Sequence, residues 1–308
     1  MTTKILFSAT GWQTWEAPLR AALDDTGLAY DLVTESAPDT VDYVVYAPSS
    51  GLLDFTPFTR LKAVLSLWAG VETIVGNDTL TVPLARMVDP GLTEGMTEWV
   101  TGHVLRHHLG MDTQIHGLNG DWRHDVPPLA RDRKVTILGL GALGADAARM
   151  LKALNFDVAG WSRSPKMLQG IETFTGEDGL TAALDRAEIL VLLLPLTPGT
   201  EILLNATRLA LLPKGAVIVN PGRGPLIDDT ALLAALDDGQ VGHATLDVFR
   251  IEPLPRDHPF WLHPKVTVTP HIASETHPAS ASRVIAENIR RGEASAPFLH
   301  LVDRSEGY

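Results

Sequence analysis

From the N-terminus, short apolar runs alternate with stretches whose apolar residues recur at helical spacing: KILFS, then TWEAPLRAALDDTG, then YDLV, DYVVYA, AVLSL and PLARMV. Short apolar, β-branched runs read as buried strands, and their alternation with helical segments predicts a parallel sheet with helices on its faces. A long helical segment, TEGMTEWVTGHVLRHHLGMDTQIHG, starts near Thr93, and a polar, proline-containing passage, NGDWRHDVPPLARDRK, follows it. The alternation restarts at Lys134. Six strand candidates (KVTILGLG, DVAGWS, EILVLLLP, AVIVN, HATLDVF, KVTVTP) are separated by the helical stretches ALGADAARMLKALN, EDGLTAALDRA, NATRLALLPKG and DDTALLAALDDG. The tail SETHPASASRVIAENIRRGE again has helical spacing and is expected to return to the first half.

At 308 residues the chain exceeds what one hydrophobic core usually serves, so two α/β domains are expected. Apolar residues make up 45% and charged residues 20%, the balance of a soluble globular protein rather than a disordered or collagen-like one. A formal charge of −12 argues against nucleic acid and anionic membranes as partners, because both attract basic surfaces. The absence of cysteine removes disulfides, thiolate nucleophiles and cysteine-ligated zinc together, and fits a reducing compartment. The opening MTTKILFSATGWQTW has too short an apolar stretch for a signal peptide, and no later run approaches the length of a membrane span. A cytoplasmic protein is expected.

ILGLGALG sets Gly139, Gly141 and Gly144 in a G-x-G-x-x-G pattern between a β-type run and an alanine-rich helix. There the first glycine permits the tight turn, the second lets backbone approach a pyrophosphate, and the third lets helix pack on strand. A dinucleotide at the helix N-terminus is expected. Where the second strand ends, an NAD site would place Asp or Glu against the ribose 2′-hydroxyl. This chain has WSRSPK instead: Ser162, Arg163, Ser164 and Lys166 offer hydroxyl and cationic donors suited to a 2′-phosphate. NADPH is therefore expected over NADH.

NPGRGPLIDDTALL presents Arg223 directly after the strand AVIVN, where a guanidinium can bind a carboxylate with two hydrogen bonds and polarise an adjacent carbonyl. LDVFRIEPLP puts Asp247 near a strand end and Glu252 just past it. VTVTPHIAS ends a β-branched run at Thr269 and Pro270 and then presents His271, one of 11 histidines. A Glu252 carboxylate beside that ring would favour the imidazolium and hold its tautomer. An arginine, a carboxylate–histidine pair and a dinucleotide are the parts needed to reduce a 2-keto acid.

GLGALG, LLLPLTPGT, NPGRGPLIDDTALL, LDVFRIEPLP and TPHIAS, in this order and spacing, resemble the D-isomer-specific 2-hydroxyacid dehydrogenase family. Within it, WSRSPK, HPFWLHPKVTVTPHIAS and the C-terminal VDRSEGY resemble the glyoxylate/hydroxypyruvate reductase A type, and the likeness runs from about Leu61 to Tyr308. The resemblance implies two doubly wound parallel-sheet domains with a cleft between them: a flavodoxin-like substrate domain of residues 1–95 and 276–308, and a Rossmann NAD(P)-binding domain of residues 96–275. It implies reduction of glyoxylate or hydroxypyruvate by hydride transfer from NADPH. His271 would be the general acid, Glu252 its partner, Arg223 the group holding the substrate carboxylate and carbonyl, and Asp247 a contact of the nicotinamide carboxamide region. Ala142, Leu143 and Pro195, within GLGALG and LLLPLTPGT, are implied cofactor contacts. In LKAVLSLWAGVETI the backbone N–H groups of Ala69, Gly70 and Val71 are implied contacts of the substrate carboxylate, and Trp68 stands where relatives usually carry a small residue. A homodimer is also implied.

Other readings compete. His103 and His107 share a helix face at i, i+4, but HVLRH lacks the glutamate of H-E-x-x-H and a third ligand, so a helix-face pair at a subunit contact is expected rather than a metal site. A module that senses NADP(H) without turnover would keep the fold and need no proton donor. A dehydrogenase for a larger 2-keto acid would keep every motif. A methyltransferase would need an acidic residue where WSRSPK stands.

Overall fold

The computed structural model describes residues 2–307; Met1 and Tyr308, the last residue of VDRSEGY, lie outside them. The chain forms two compact units, one of the residues up to Leu92 together with those from Glu275 onward, the other of Thr93–Ser274.

In the first unit β1 (Thr3–Ser8), α1 (Trp12–Asp24), β2 (Tyr30–Val33), β3 (Tyr43–Tyr46), β4 (Ala63–Ser66) and β5 (Leu84–Ala85) follow the apolar runs. The five strands are parallel in the order β2-β1-β3-β4-β5, the flavodoxin-like winding. Every residue of β3 and β4 is buried, as parallel strands covered on both faces require. One cover is α1 with the C-terminal helix Pro278–Glu293, whose Ala281, Ile285, Ala286 and Ile289 share a core with Leu19, Ala22 and Leu23. The spacing of those four residues gives that helix a single apolar stripe.

The long helical segment divides at Gly110, which has φ +65°, into α2 (Pro90–His108) and α3 (Met111–His116). Proline at the first helical position suits a helix start, because its missing N–H would be unpaired there in any case. Beyond come β6 (Lys134–Leu138), α4 (Ala142–Ala153), β7 (Asp157–Trp161), β8 (Glu172–Phe174), α5 (Gly176–Asp185), β9 (Ile189–Leu192), α6 (Ala206–Leu209), β10 (Ala216–Asn220), α7 (Asp229–Asp237), β11 (Val241–Leu246) and β12 (Val266–Val268). The sheet is wholly parallel in the order β12-β11-β10-β9-β6-β7-β8. Ile137, Ile189 and Val191 enter one core layer while Leu138, Leu190 and Leu192 enter the other, the period of two that a doubly covered strand demands.

The sheet has seven strands rather than six, because ETF at the β7 edge is too short and too little buried to stand out as an apolar run. NATRLALLPKG supplies only one helical turn, capped by the Asn205 side chain at Arg208 N, since Pro213 ends the helical pattern two residues after Leu211. No helix among the described residues is long and apolar enough to cross a membrane.

Candidate active site

Strands β10, β11 and β12 run in register, with Asn220 beside Leu246 and Leu246 beside Val268, so their C-terminal exits lie side by side. Open parallel sheets bind ligands at such ends. Asp247, one residue past β11, is fully buried, and both its oxygens are engaged. Oδ1 accepts from Thr269 Oγ1 (2.6 Å) and Ile272 N (2.9 Å), and Oδ2 from Ala273 N (2.9 Å). These bonds hold the turn that carries His271, whose own N–H donates to Asp247 O (2.8 Å) and Thr269 O (3.0 Å). His271 has φ +53°, a left-handed conformation that costs a non-glycine residue about 1–3 kcal/mol and collects at functional sites. The network around Asp247 offsets that cost.

The His271 ring is half-exposed, and its Nδ1 lies 2.7 Å from Glu252 Oε2. Glu252 Oε1 accepts from Phe249 N (2.8 Å), which fixes the carboxylate from its other side. With Nδ1–H donated to Glu252, Nε2 is the nitrogen left to exchange a proton with a ligand. Arg223 stands just after β10 in a turn locked by Asn220, which donates Nδ2 to Arg223 O (3.0 Å) and accepts from Gly222 N (3.1 Å). The Arg223 Nη1 also donates to Gly222 O (2.7 Å). A Cβ on Gly224 would fall 2.1 Å from the Phe249 carbonyl carbon, so only glycine lets this loop lie against the one leading to Glu252. Arg223, Asp247, Glu252 and His271 thus gather at one end of one sheet. Sequence reasoning missed Asn220, whose only signal is a polar residue closing an apolar strand.

The glycine-rich loop lies between β6 and β9, where the strand order reverses. A Cβ at Gly139 (φ +105°) would stand 2.4 Å from Leu193 O, and one at Gly144 would stand 1.8 Å from Gly139 O; at Gly141 a Cβ would meet nothing within 4 Å. Two glycines are therefore demanded by packing, and the third faces open space. The first turn of α4, with Ala142 and Leu143, has no side-chain cap and no acidic residue, so its N–H groups suit a pyrophosphate. These residues fit a dinucleotide.

At the end of β7, Ser162 is buried and donates its hydroxyl to Ser164 O (2.8 Å), which makes it a shaper of the loop; Arg163, Ser164 and Lys166 are exposed. No carboxylate stands in WSRSPK. Pro195, after β9, accepts from Thr200 Oγ1 at its carbonyl (2.7 Å).

In the first unit the segment after β4 is held by hydrogen bonds to the Trp68 backbone. Ser66 Oγ accepts from Trp68 N (3.0 Å) and donates to Trp68 O (3.1 Å), and Met87 N donates to the same oxygen (3.0 Å). The N–H groups of Ala69, Gly70 and Val71 donate to nothing among the described residues. Three successive amides of this kind suit an anion. The Trp68 side chain beside them is 47% exposed.

Of the helix-face pair on α2, His107 packs inward against the sheet. His107 Nε2 lies 2.8 Å from Thr245 Oγ1, and its ring is 4.9 Å from that of His243, which itself reaches Thr267 Oγ1 (2.9 Å). Burial pushes His107 down to about 3 and His243 down to about 4. Both are held neutral between helix and sheet. His103 packs on Trp99 with ring centroids 4.2 Å apart, and burial lowers it too. Among the described residues no three His, Asp or Glu side chains are placed to hold a metal ion.

The family model for the NAD binding domain of D-isomer specific 2-hydroxyacid dehydrogenases matches residues 101–273. A glyoxylate/hydroxypyruvate reductase A of Serratia proteamaculans is 42% identical over 257 residues, which cover 81% of this chain and 82% of that protein. A crystal structure of a D-isomer specific 2-hydroxyacid dehydrogenase from Xanthobacter autotrophicus Py2, in complex with NADPH and MES, is 42% identical with a TM-score of 0.93 over 100% of both chains. An NADPH-dependent glyoxylate/hydroxypyruvate reductase from Sinorhizobium meliloti, in complex with NADP and sulfate, is 36% identical with a TM-score of 0.88, again over 100% of both.

Proposed function

The chain belongs to the D-isomer-specific 2-hydroxyacid dehydrogenase family, and on that premise we propose that it reduces a small 2-keto acid, glyoxylate or hydroxypyruvate, to the 2-hydroxy acid with NADPH. The observation that carries the reading is the 2.7 Å pair of His271 Nδ1 and Glu252 Oε2 at the ligand-binding end of the sheet. A bound dinucleotide supplies the hydride. His271 gives the Nε2 proton to the keto oxygen, and Glu252 retains the Nδ1 proton and stabilises the charged ring. Arg223 orients the carboxylate and stabilises the oxygen as it gains charge. The amides of Ala69, Gly70 and Val71 receive the substrate carboxylate.

Asp247 is first a positioning residue for His271. Through the turn it holds, it would also set the strand end that a nicotinamide carboxamide approaches. Gly139, Gly141, Gly144 and the first turn of α4 hold the pyrophosphate, with Pro195 lining the same loop cluster. Arg163, Ser164 and Lys166 meet the 2′-phosphate, on a loop that Ser162 shapes. The unit of Thr93–Ser274 is thus the cofactor domain, and the other is the substrate domain.

A homodimer is supported by the apolar side chains left exposed from α3 onward: Met111, Ile115, Trp122, Val126 and Leu129. A cytoplasmic location is supported by the cysteine-free composition. The test is consumption of NADPH, then of NADH, against glyoxylate, hydroxypyruvate, pyruvate and a bulkier 2-keto acid. Preferential turnover of the first two with NADPH is expected. NADPH binding with no turnover of any acid would favour a sensing module.

A further inference from the structure

The C-terminal segment closes on the loop that follows β4. Arg86 N donates to His300 O (3.0 Å) and Val302 N to Leu84 O (2.8 Å), so residues 300–302 lie along β5. Val302 is buried in one cluster with Val71, Ile74 and Leu80. Two residues further on, Arg304 donates Nε to Val75 O (3.0 Å), Nη2 to Asn77 O (2.7 Å) and Nη1 to Leu80 O. Each guanidinium nitrogen is therefore committed to a carbonyl of one short stretch.

That stretch is continuous with the candidate carboxylate amides. Val71 O accepts from Ile74 N (3.0 Å) and Val75 N (2.8 Å), making Val71 to Val75 a single tight turn. Its entrance is formed by the free N–H groups of Ala69, Gly70 and Val71, and its exit is what Arg304 grips. Residues 67–83 form no strand or helix of their own, and beyond the buried anchors Val71, Ile74 and Leu80 it is Arg304 that occupies the Val75, Asn77 and Leu80 carbonyls; without it those carbonyls would exchange hydrogen bonds with water and the turn would sample other conformations. A planar, permanently charged fork is the side chain able to satisfy three carbonyls at fixed angles.

We propose that Arg304 is a positioning residue for substrate binding: by gripping the carbonyls of Val75, Asn77 and Leu80 it holds the amides of Ala69, Gly70 and Val71 in the geometry that receives the substrate carboxylate. This rests on the reading of those amides given above. Misplacing such contacts by about 1 Å can cost on the order of a hundredfold, and a partial loss of grip is expected to raise KM roughly tenfold.

The experiment compares wild type with Arg304→Ala, Arg304→Gln and Arg304→Lys in the full chain. It measures KM and kcat for glyoxylate, Kd for NADPH, and Kd for oxamate, an unreactive 2-keto acid analogue. Arg304→Ala is expected to raise KM and the oxamate Kd together, with saturated kcat and NADPH binding held within about twofold; the lysine variant, lacking the fork, recovers part of the loss. A merely structural arginine would lower Tm and the yield of active enzyme while KM of the folded fraction stayed at the wild-type value, and that result overturns the proposal. Should the alanine variant not fold, the glutamine and lysine variants carry the same comparison. Failure of the underlying reading would show in wild type, as no binding of oxamate and no 2-keto acid reduced. Failure of this proposal would show as an active wild type whose variants share its KM and oxamate Kd.

Discussion

The two units present their candidate chemistry in different materials. In the unit of Thr93–Ser274 it is carried by side chains, Arg223, Glu252 and His271, set at the exits of strands whose register fixes them. In the other unit it is carried by the backbone amides of Ala69, Gly70 and Val71, on a loop with no regular structure, held by Ser66 on one side and by Arg304, more than two hundred residues away in sequence, on the other. A side-chain site needs its residue types and can be damaged one residue at a time. A backbone site needs only a conformation and is damaged through whatever holds it.

The sharpest way to break the side-chain half is Arg223→Ala. Loss of a preorganised donor to a developing oxyanion costs on the order of 10²–10³ in rate, so kcat/KM for glyoxylate should fall by that amount through both kcat and KM, with NADPH binding retained in a fluorescence titration. A change confined to KM would assign Arg223 to binding alone. The amide half is sharpened by Trp68→Gly, which leaves every backbone bond of the loop in place and removes the exposed indole next to it. We expect kcat/KM for a bulky 2-keto acid to rise about tenfold relative to glyoxylate, the scale of discrimination by apolar pocket contacts. An unchanged ratio would place the indole outside the path of the substrate.

A smaller effect separates the working histidine from structural ones packed against the same sheet. His107 and His243 are held neutral at about 3 and about 4, against an ordinary value of 6.5. Between those values the unfolded chain binds more protons than the folded one. Their contribution to stability is therefore complete above pH 6.5 and is lost as pH falls toward 4 and then 3. Denaturant unfolding across that range should show stability dropping with acid, and His243→Gln should flatten the slope. Equal slopes would mean that the pair is protonated without cost.

How much of this was legible in the sequence follows the same division. Gly139, Gly141, Gly144, Arg223, Glu252 and His271 could be named because turns, bidentate cations and acid–histidine pairs demand particular residue types at strand ends. The alternation of apolar runs likewise yielded eleven of the twelve strands among the described residues; β8 escaped because three partly exposed residues make no run. Asp247 was placed correctly at a strand end, but no pattern of residues announces that its two oxygens hold the His271 turn through Thr269, Ile272 and Ala273. Ser162 reads as a phosphate donor until the fold turns its hydroxyl onto Ser164 O. His107 and His243 lie 136 positions apart, and Arg304 and Val75 lie 229 apart, so their contacts exist only once the chain is folded.

In the proposed reaction His271, held by Glu252, protonates the keto oxygen. The most direct test of that step is single-turnover reduction of glyoxylate by NADPH with wild type and His271→Ala. The variant is expected to bind NADPH as wild type does while hydride transfer slows by about 10²–10⁴, the usual yield of a positioned acid. Transfer at the wild-type rate in the variant would contradict it, and His271 would then be a histidine that stands where a strand ends.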